Sequence, residues 1–165
     1  MKSILTLLCG VMLSASLPAV TVTSPDRTLL LNVDLDKSGA LHYSLSRNGE
    51  VVIAPSLMGF SLKDLGELTA DFEAVDTVYN SIDTYWEPVW GEVAKIHDNH
   101  NEMTFTVRHK KTGIVMEVIF RMFNDGMGFR YQFPVQANMK YFTVLNEKTQ
   151  FCLNGNHQAW WIPGD

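Results

Sequence analysis

The chain has 165 residues, of which 46% are hydrophobic and 19% charged, and it carries a formal net charge of -5. That length and apolar content suffice for one domain with its own core, and the thin, scattered charge excludes a disordered or solvating chain. The acidic balance excludes a nucleic-acid partner, which requires clustered Lys and Arg. The densest basic stretch, Arg108-His109-Lys110-Lys111, adjoins Thr112-Gly113 and reads as a solvated hairpin tip.

The first residues follow different rules from the rest. Met1-Lys2 gives a positive start, Ile4 to Leu17 is almost wholly apolar or small, and Ser14, Ala15, Ser16 and Ala19 offer cleavage positions. This is the layout of a secretory signal peptide over 1–20, leaving 21–165 as the mature domain. A retained N-terminal anchor is the alternative. The apolar run falls short of the roughly 20 residues a membrane span needs, so no membrane partner is expected after the signal is removed. A lipoprotein site at Cys9 is disfavoured by the bulky Leu8 before it. Loss of Cys9 with the signal leaves Cys152 alone, without an intramolecular disulfide. Flanked by Phe151 and Leu153, Cys152 reads as a small buried filler.

From Arg27 onward the dominant pattern is period-two alternation. Leu29, Leu31, Val33 and Leu35 share one face, Asp36-Lys37-Ser38-Gly39 turns the chain, and Leu41, Tyr43 and Leu45 alternate with His42, Ser44 and Ser46. Asn48-Gly49 between two alternating runs predicts a hairpin whose two central residues take positive φ. Only Leu62 to Leu68 suggests a helical turn. His97-Asp98-Asn99-His100 reads as a turn between strands. Met103, Phe105 and Val107, then Ile114 to Met122, then Met127 to Phe133 predict a three-stranded antiparallel meander closed by Asn124-Asp125-Gly126. Many short strands without an internal repeat point to an all-β, antiparallel sandwich and away from propellers and solenoids. The sequence stops at Gly164-Asp165 just after a Trp-rich segment, so a sandwich incomplete at its C-terminus is expected.

Two aromatic clusters are the candidates for chemistry. Tyr85-Trp86-Glu87-Pro88-Val89-Trp90-Gly91-Glu92 contains a proline that cannot donate to a ladder, which predicts an edge strand or a loop. An indole offers an apolar face to the C–H surface of a pyranose, and carboxylates accept hydrogen bonds from its hydroxyls. Ala159-Trp160-Trp161-Ile162-Pro163-Gly164-Asp165 is the second cluster. For any single tryptophan, packing in the core is the simpler expectation. Glu87 and Glu92 form a carboxylate pair, but glycosidase chemistry depends on a spatial separation that sequence does not supply, and no catalytic residue is assigned. His97 and His100 lack the third ligand a zinc site needs, so no metal ligand is assigned either. Dinucleotide, phosphate-loop and nucleophile-elbow motifs are absent.

In order along the chain, Ser24-Pro25-Asp26, Leu41 to Leu45, Pro55 to Gly59, Trp86 to Glu92, His100-Asn101-Glu102, Phe120 to Tyr131 and Trp160 to Asp165 resemble the N-terminal domain of glycoside hydrolase family 97. The resemblance implies a galactose-mutarotase-like β-super-sandwich in front of a TIM-like barrel, in an exported bacterial exo-acting α-glucosidase or α-galactosidase. It implies that the catalytic acid and the base or nucleophile come from the barrel, and that glutamates around the active site bind calcium. The family's calcium-ligating glutamate of this domain lies beyond the Trp-Trp-Ile-Pro-Gly-Asp motif, so no calcium ligand is placed in this chain. The expected partners are an α-linked oligosaccharide and the C-terminal barrel of the same protein, in the periplasm or outside the cell. Trp86, Trp90, Trp160 and Trp161 are the expected sugar-contacting or interface aromatics. This 165-residue piece is expected to be inactive by itself. The alternative is a free-standing secreted carbohydrate-binding module without catalysis.

Overall fold

The structure of the protein, a computed structural model, describes residues 19–158, 160–162 and 164. All but the last two residues of the expected signal peptide lie outside the described residues. Among the described residues twelve strands follow one another: β1 (Val20–Thr23), β2 (Leu29–Leu35), β3 (Leu41–Arg47), β4 (Glu50–Met58), β5 (Phe60–Leu62), β6 (Gly66–Leu68), β7 (Phe72–Trp86), β8 (Ile96–His109), β9 (Val115–Met122), β10 (Met127–Gln132), β11 (Val144–Glu147) and β12 (Cys152–Leu153). They form three sheets, ordered β1-β2-β3-β4-β12, β10-β9-β8-β7 and β11-β5-β6, with every pair antiparallel. No helix occurs among the described residues. The chain is all-β, as its alternation predicts.

Alternation dictates which side of each strand is covered. Leu31, Val33, Leu41 and Tyr43 from the first sheet join Met103, Phe105, Val107, Met116, Val118, Phe120 and Met122 from the second in one core cluster. The small sheet contributes Phe60, Leu62 and Leu68, and the Phe60 ring meets Tyr131 edge-on at 4.6 Å. Fully burying a side chain of this kind stabilises by about 1.5–3 kcal/mol, so this shared apolar interior is the main force joining the sheets.

The turns follow their sequences. Asn48 (φ 51°) and Gly49 (φ 85°) are both left-handed and join Arg47 to its partner Glu50, as a two-residue hairpin of the mirror-image type requires. The Asp36 carboxylate accepts from the Ser38 amide (2.8 Å), the Ser38 hydroxyl (2.6 Å) and the Ala40 amide (2.9 Å). These bonds, led by the Ser38 hydroxyl, hold the Asp36 carboxyl below its ordinary value. Next to it the Gly39 carbonyl accepts from the Phe72 amide at 2.9 Å, which ties this turn to the start of β7. Gly39 has φ 75°, and a Cβ there would stand 2.6 Å from the Phe72 carbonyl oxygen and 2.7 Å from its nitrogen. Pro55 sits inside β4, where pairing with β3 slips between Tyr43 and Leu45 and the ladder needs no proline N–H.

Three expectations need correction. Leu62 to Leu68 is not helical: Leu62 ends β5, Gly66 to Leu68 forms β6, and a turn joins them into a hairpin. The glycine at 66 (φ 81°) supplies the reversal. His97 to His100 is not a turn but part of the beginning of the 14-residue β8, paired with the 15-residue β7. Cys152 is not a buried filler. It is exposed on β12, whose two residues add to the outer edge of β4, so neither side chain faces a covering layer.

Two outcomes are expected. Gly39→Ala should destabilise the fold by about 2 kcal/mol or more, because backbone rather than a flexible side chain blocks the added methyl. Gly126→Ala, where a Cβ meets nothing within 4 Å, should be nearly neutral in the same thermal melts. The second concerns pH. His109 is buried against the Phe72 ring at 5.6 Å, and burial lowers its pKa below 6.5, with Asp71 opposing and Lys111 reinforcing. The unfolded chain then takes up a proton that the folded chain declines. Stability is lost as pH falls through about 6.5 toward the folded value. Urea midpoints should therefore drop between about pH 7.5 and 5.5, and His109→Gln should flatten that drop. The lowered carboxyls of Asp26, Asp36 and Asp71 act only as pH falls toward and below 3.8.

Candidate functional site

β7 and β8 pair from Phe72↔His109 to Trp86↔Ile96, with one register shift between Ala74 and Asp76, but β9 reaches only as far as Asn101↔Met122. Residues Ile82 to Trp86 and Ile96 to His100 are thus paired only with each other, as a two-stranded arm about 17 Å long. Such ribbons are marginal by themselves, and side chains brace this one on both faces. On one face the His97 Nε2 meets the Asp83 carboxylate at 2.6 Å, and the His97 ring stacks on Tyr85 at 4.3 Å with a 10° interplanar angle. The Lys95 ammonium lies 4.5 Å from the Tyr85 ring centroid. On the other face, buried His100 directs Nδ1 to Asp98 at 2.6 Å and packs beside the Phe123 ring at 4.9 Å. The His100 Nε2 is buried without a hydrogen-bond partner.

Trp86 ends β7 at the arm's tip, and an irregular loop over 87–95 carries Trp90. The expectation of an edge strand or loop is met in both parts: β7 is the outermost strand of its sheet, and Pro88 lies in the loop. The tryptophans do not follow the simpler expectation of core packing. Trp86 is 49% exposed, Trp90 88%, Trp160 92% and Trp161 78%. Among the described residues no tryptophan stacks on another ring; the interior is built from tyrosine and phenylalanine contacts instead. Glu87 and Glu92 are likewise exposed in the loop. Ile162, Phe151 and Leu153 are exposed as well.

Among the described residues no three His, Cys, Asp or Glu side chains converge as an ion site. His97 and His100 each face a carboxylate, on opposite faces of one strand, and so cannot share an ion.

Sequence reasoning overlooked one feature. The face of β7 and β8 that buries Met103 and Phe105 continues along the arm as Tyr79, Ser81, Asp83 and Tyr85 opposite Met103, Asn101, Asn99 and His97. The alternation of β7 is hidden because both of its faces are exposed over most of its length. Ser24 and Asp26 take their place by a separate route. The Asp26 amide donates to the Asn124 side-chain carbonyl at 3.0 Å, joining the Ser24-Pro25-Asp26 turn to the Asn124-Asp125-Gly126 turn 98 residues later.

These are features of a sandwich with an aromatic arm, and comparison with known proteins agrees. The family model Glycosyl-hydrolase 97 N-terminal matches residues 22–165. The chain belongs to this family; it is an N-terminal domain of a glycoside hydrolase. A glycoside hydrolase family 97 enzyme from Pseudoalteromonas sp. strain K8, solved in complex with panose and with acarbose, is 34% identical and superposes with a TM-score of 0.81. The match covers 88% of this chain and 22% of that one. A beta-arabinopyranosidase is 29% identical with a TM-score of 0.75, over 82% of this chain and 21% of its own. This chain therefore spans about a fifth of the length of these enzymes.

Because Trp90 and Trp161 touch little, Trp90→Ala and Trp161→Ala should each change stability by less than about 0.5 kcal/mol in urea titrations. A core tryptophan replaced by alanine would cost about 3–5 kcal/mol, so the two placements are easily separated.

Proposed function

We propose that this chain is the first part of the N-terminal sandwich of an exported, exo-acting α-glycosidase acting on α-linked glucosides or galactosides. In this reading the domain packs on a C-terminal catalytic barrel and lends part of the pocket wall. The observation that carries it is the display of Trp86, Trp90, Trp160 and Trp161 to solvent on a sandwich of this family. Indoles left outside a core that has its own tyrosine and phenylalanine rings are available to a partner surface or a pyranose face. The panose and acarbose complexes of the Pseudoalteromonas enzyme support an α-glucoside class. The beta-arabinopyranosidase relative marks how far specificity varies among similar folds. Export rests on the leader-like 1–20 segment. The calcium belongs, in this proposal, to residues of the whole protein outside this chain, and no step is assigned to it here.

The test is to compare the whole protein with a version lacking residues 22–165, assayed on p-nitrophenyl α-glucoside and α-galactoside. Removal should leave an insoluble barrel without hydrolysis of either. A soluble barrel with unchanged kcat/KM would sink the proposal.

The same exposed tryptophans favour a second reading, a free-standing carbohydrate-binding module. Titration of the chain with maltooligosaccharides separates it: saturable quenching of tryptophan fluorescence supports a module, and a flat response removes it.

A further inference from the structure

Where the arm leaves the sandwich, the face that was apolar changes character. From Met103 outward along β8 the same side presents Asn101, Asn99 and His97, and from Tyr79 along β7 it presents Ser81, Asp83 and Tyr85. Had this face been meant for a further apolar layer, the alternation would have carried on with residues like Met103 and Phe105. Instead it carries amides, a hydroxyl, a carboxylate and an imidazole, edged by two half-exposed tyrosines. Ser81 and Asn101 are held in place. The Ser81 hydroxyl donates to the Asn101 side-chain oxygen at 2.7 Å, and the Asn101 amide donates to the Thr23 carbonyl at 2.9 Å, fixing the base of the arm against β1. A hollow of about 310 Å³ opens there, lined among others by Thr21, Thr23, Tyr79, Ser81, Asn101 and Glu102.

We infer that this face of the arm, from the hollow at Tyr79 to Asn99, is a binding site for a neutral oligosaccharide, separate from the exposed tryptophans. Charge selects the ligand class. The carboxylates of this region each have a partner, Asp83 the His97 ring and Glu102 the Arg121 guanidinium, and the Lys95 ammonium is held over Tyr85, so no isolated charge is offered to an ion. The Asn99 and Asn101 amides and the Ser81 hydroxyl, groups able to donate and accept, match vicinal sugar hydroxyls, and Tyr79 supplies a ring with no aromatic partner among the described residues. Tyr85, flanked by His97 and Lys95, acts as a brace and not as a platform. Trp86 alternates to the opposite face and takes no part. The inference rests on the reading that this domain meets saccharide.

The test is a titration of the full chain with maltotetraose, followed by ¹H–¹⁵N spectra that resolve asparagine side-chain amides and tryptophan indoles. Saturable shifts of the Asn99 and Asn101 side-chain amides are expected, and Asn99→Ala with Tyr79→Ala should weaken binding by about tenfold or more. Backbone spectra of the variants verify that the fold is kept. Shifts confined to indoles, unchanged in the variants, would overturn this inference and leave the tryptophan contact standing. No saturable shift anywhere would overturn both.

Discussion

Tyr43 is the residue on which the two sheets depend. It lies on β3, wholly buried, and its ring faces Phe120 at 6.4 Å and Phe129 at 5.8 Å on the opposite sheet. Its hydroxyl donates to the Gln150 carbonyl at 2.7 Å, and Phe151 packs edge-on against the same ring at 6.3 Å. Burial pushes the phenol up to about 12, so it remains a neutral donor throughout the ordinary pH range. One side chain thus joins the sheets and draws the C-terminal segment back over them. Ser56, Tyr43's partner across the ladder, completes the arrangement by accepting from the Cys152 amide at 2.9 Å, which seats β12 beside β4.

Much of this architecture was legible because the physics is local. Leu29 to Leu35 and Leu41 to Leu45 alternate cleanly since one side faces a core, and Asn48-Gly49 is readable since few other pairs adopt two left-handed residues without strain. The meander from Met103 to Phe133 follows the same rule. β7 was not legible. Its two faces are both wet over most of its length, so no contrast marks the alternation, and its partner's first residues, His97 to His100, imitate a polar turn. Three-residue strands such as β5 and β6 are too short for any period to declare itself.

The aromatic site was only partly legible. Motif order placed Trp86 to Glu92 and Trp160 to Asp165 in the resembling family, but not which way the rings face. Exposure is a tertiary property: β9 stops at Met122, so among the described residues no third strand pairs with the arm, and Trp86 at its tip is left half-exposed. Cys152 was misjudged for the same reason. Its apolar neighbours Phe151 and Leu153 suggested burial, yet both stand largely exposed with it at a sheet edge. The polar face of the arm became visible only when register placed Ser81 beside Asn101 and Asp83 beside Asn99.

The outer edge of β7 has a consequence for handling the chain. Fifteen residues of backbone line one rim of the sheet with no neighbouring strand among the described residues. The strand carries no proline or lysine, and its guards are Glu73, Asp76, Asp83 and a bulge beside Val75. Such a rim templates pairing with any strand of another molecule, and here mutual repulsion of carboxylates is the principal deterrent. Acidic buffers and concentrated salt each weaken that repulsion, the first by protonation and the second by screening. This rim thus bears on the colloidal behaviour of the isolated domain by a route separate from how firmly its interior is packed.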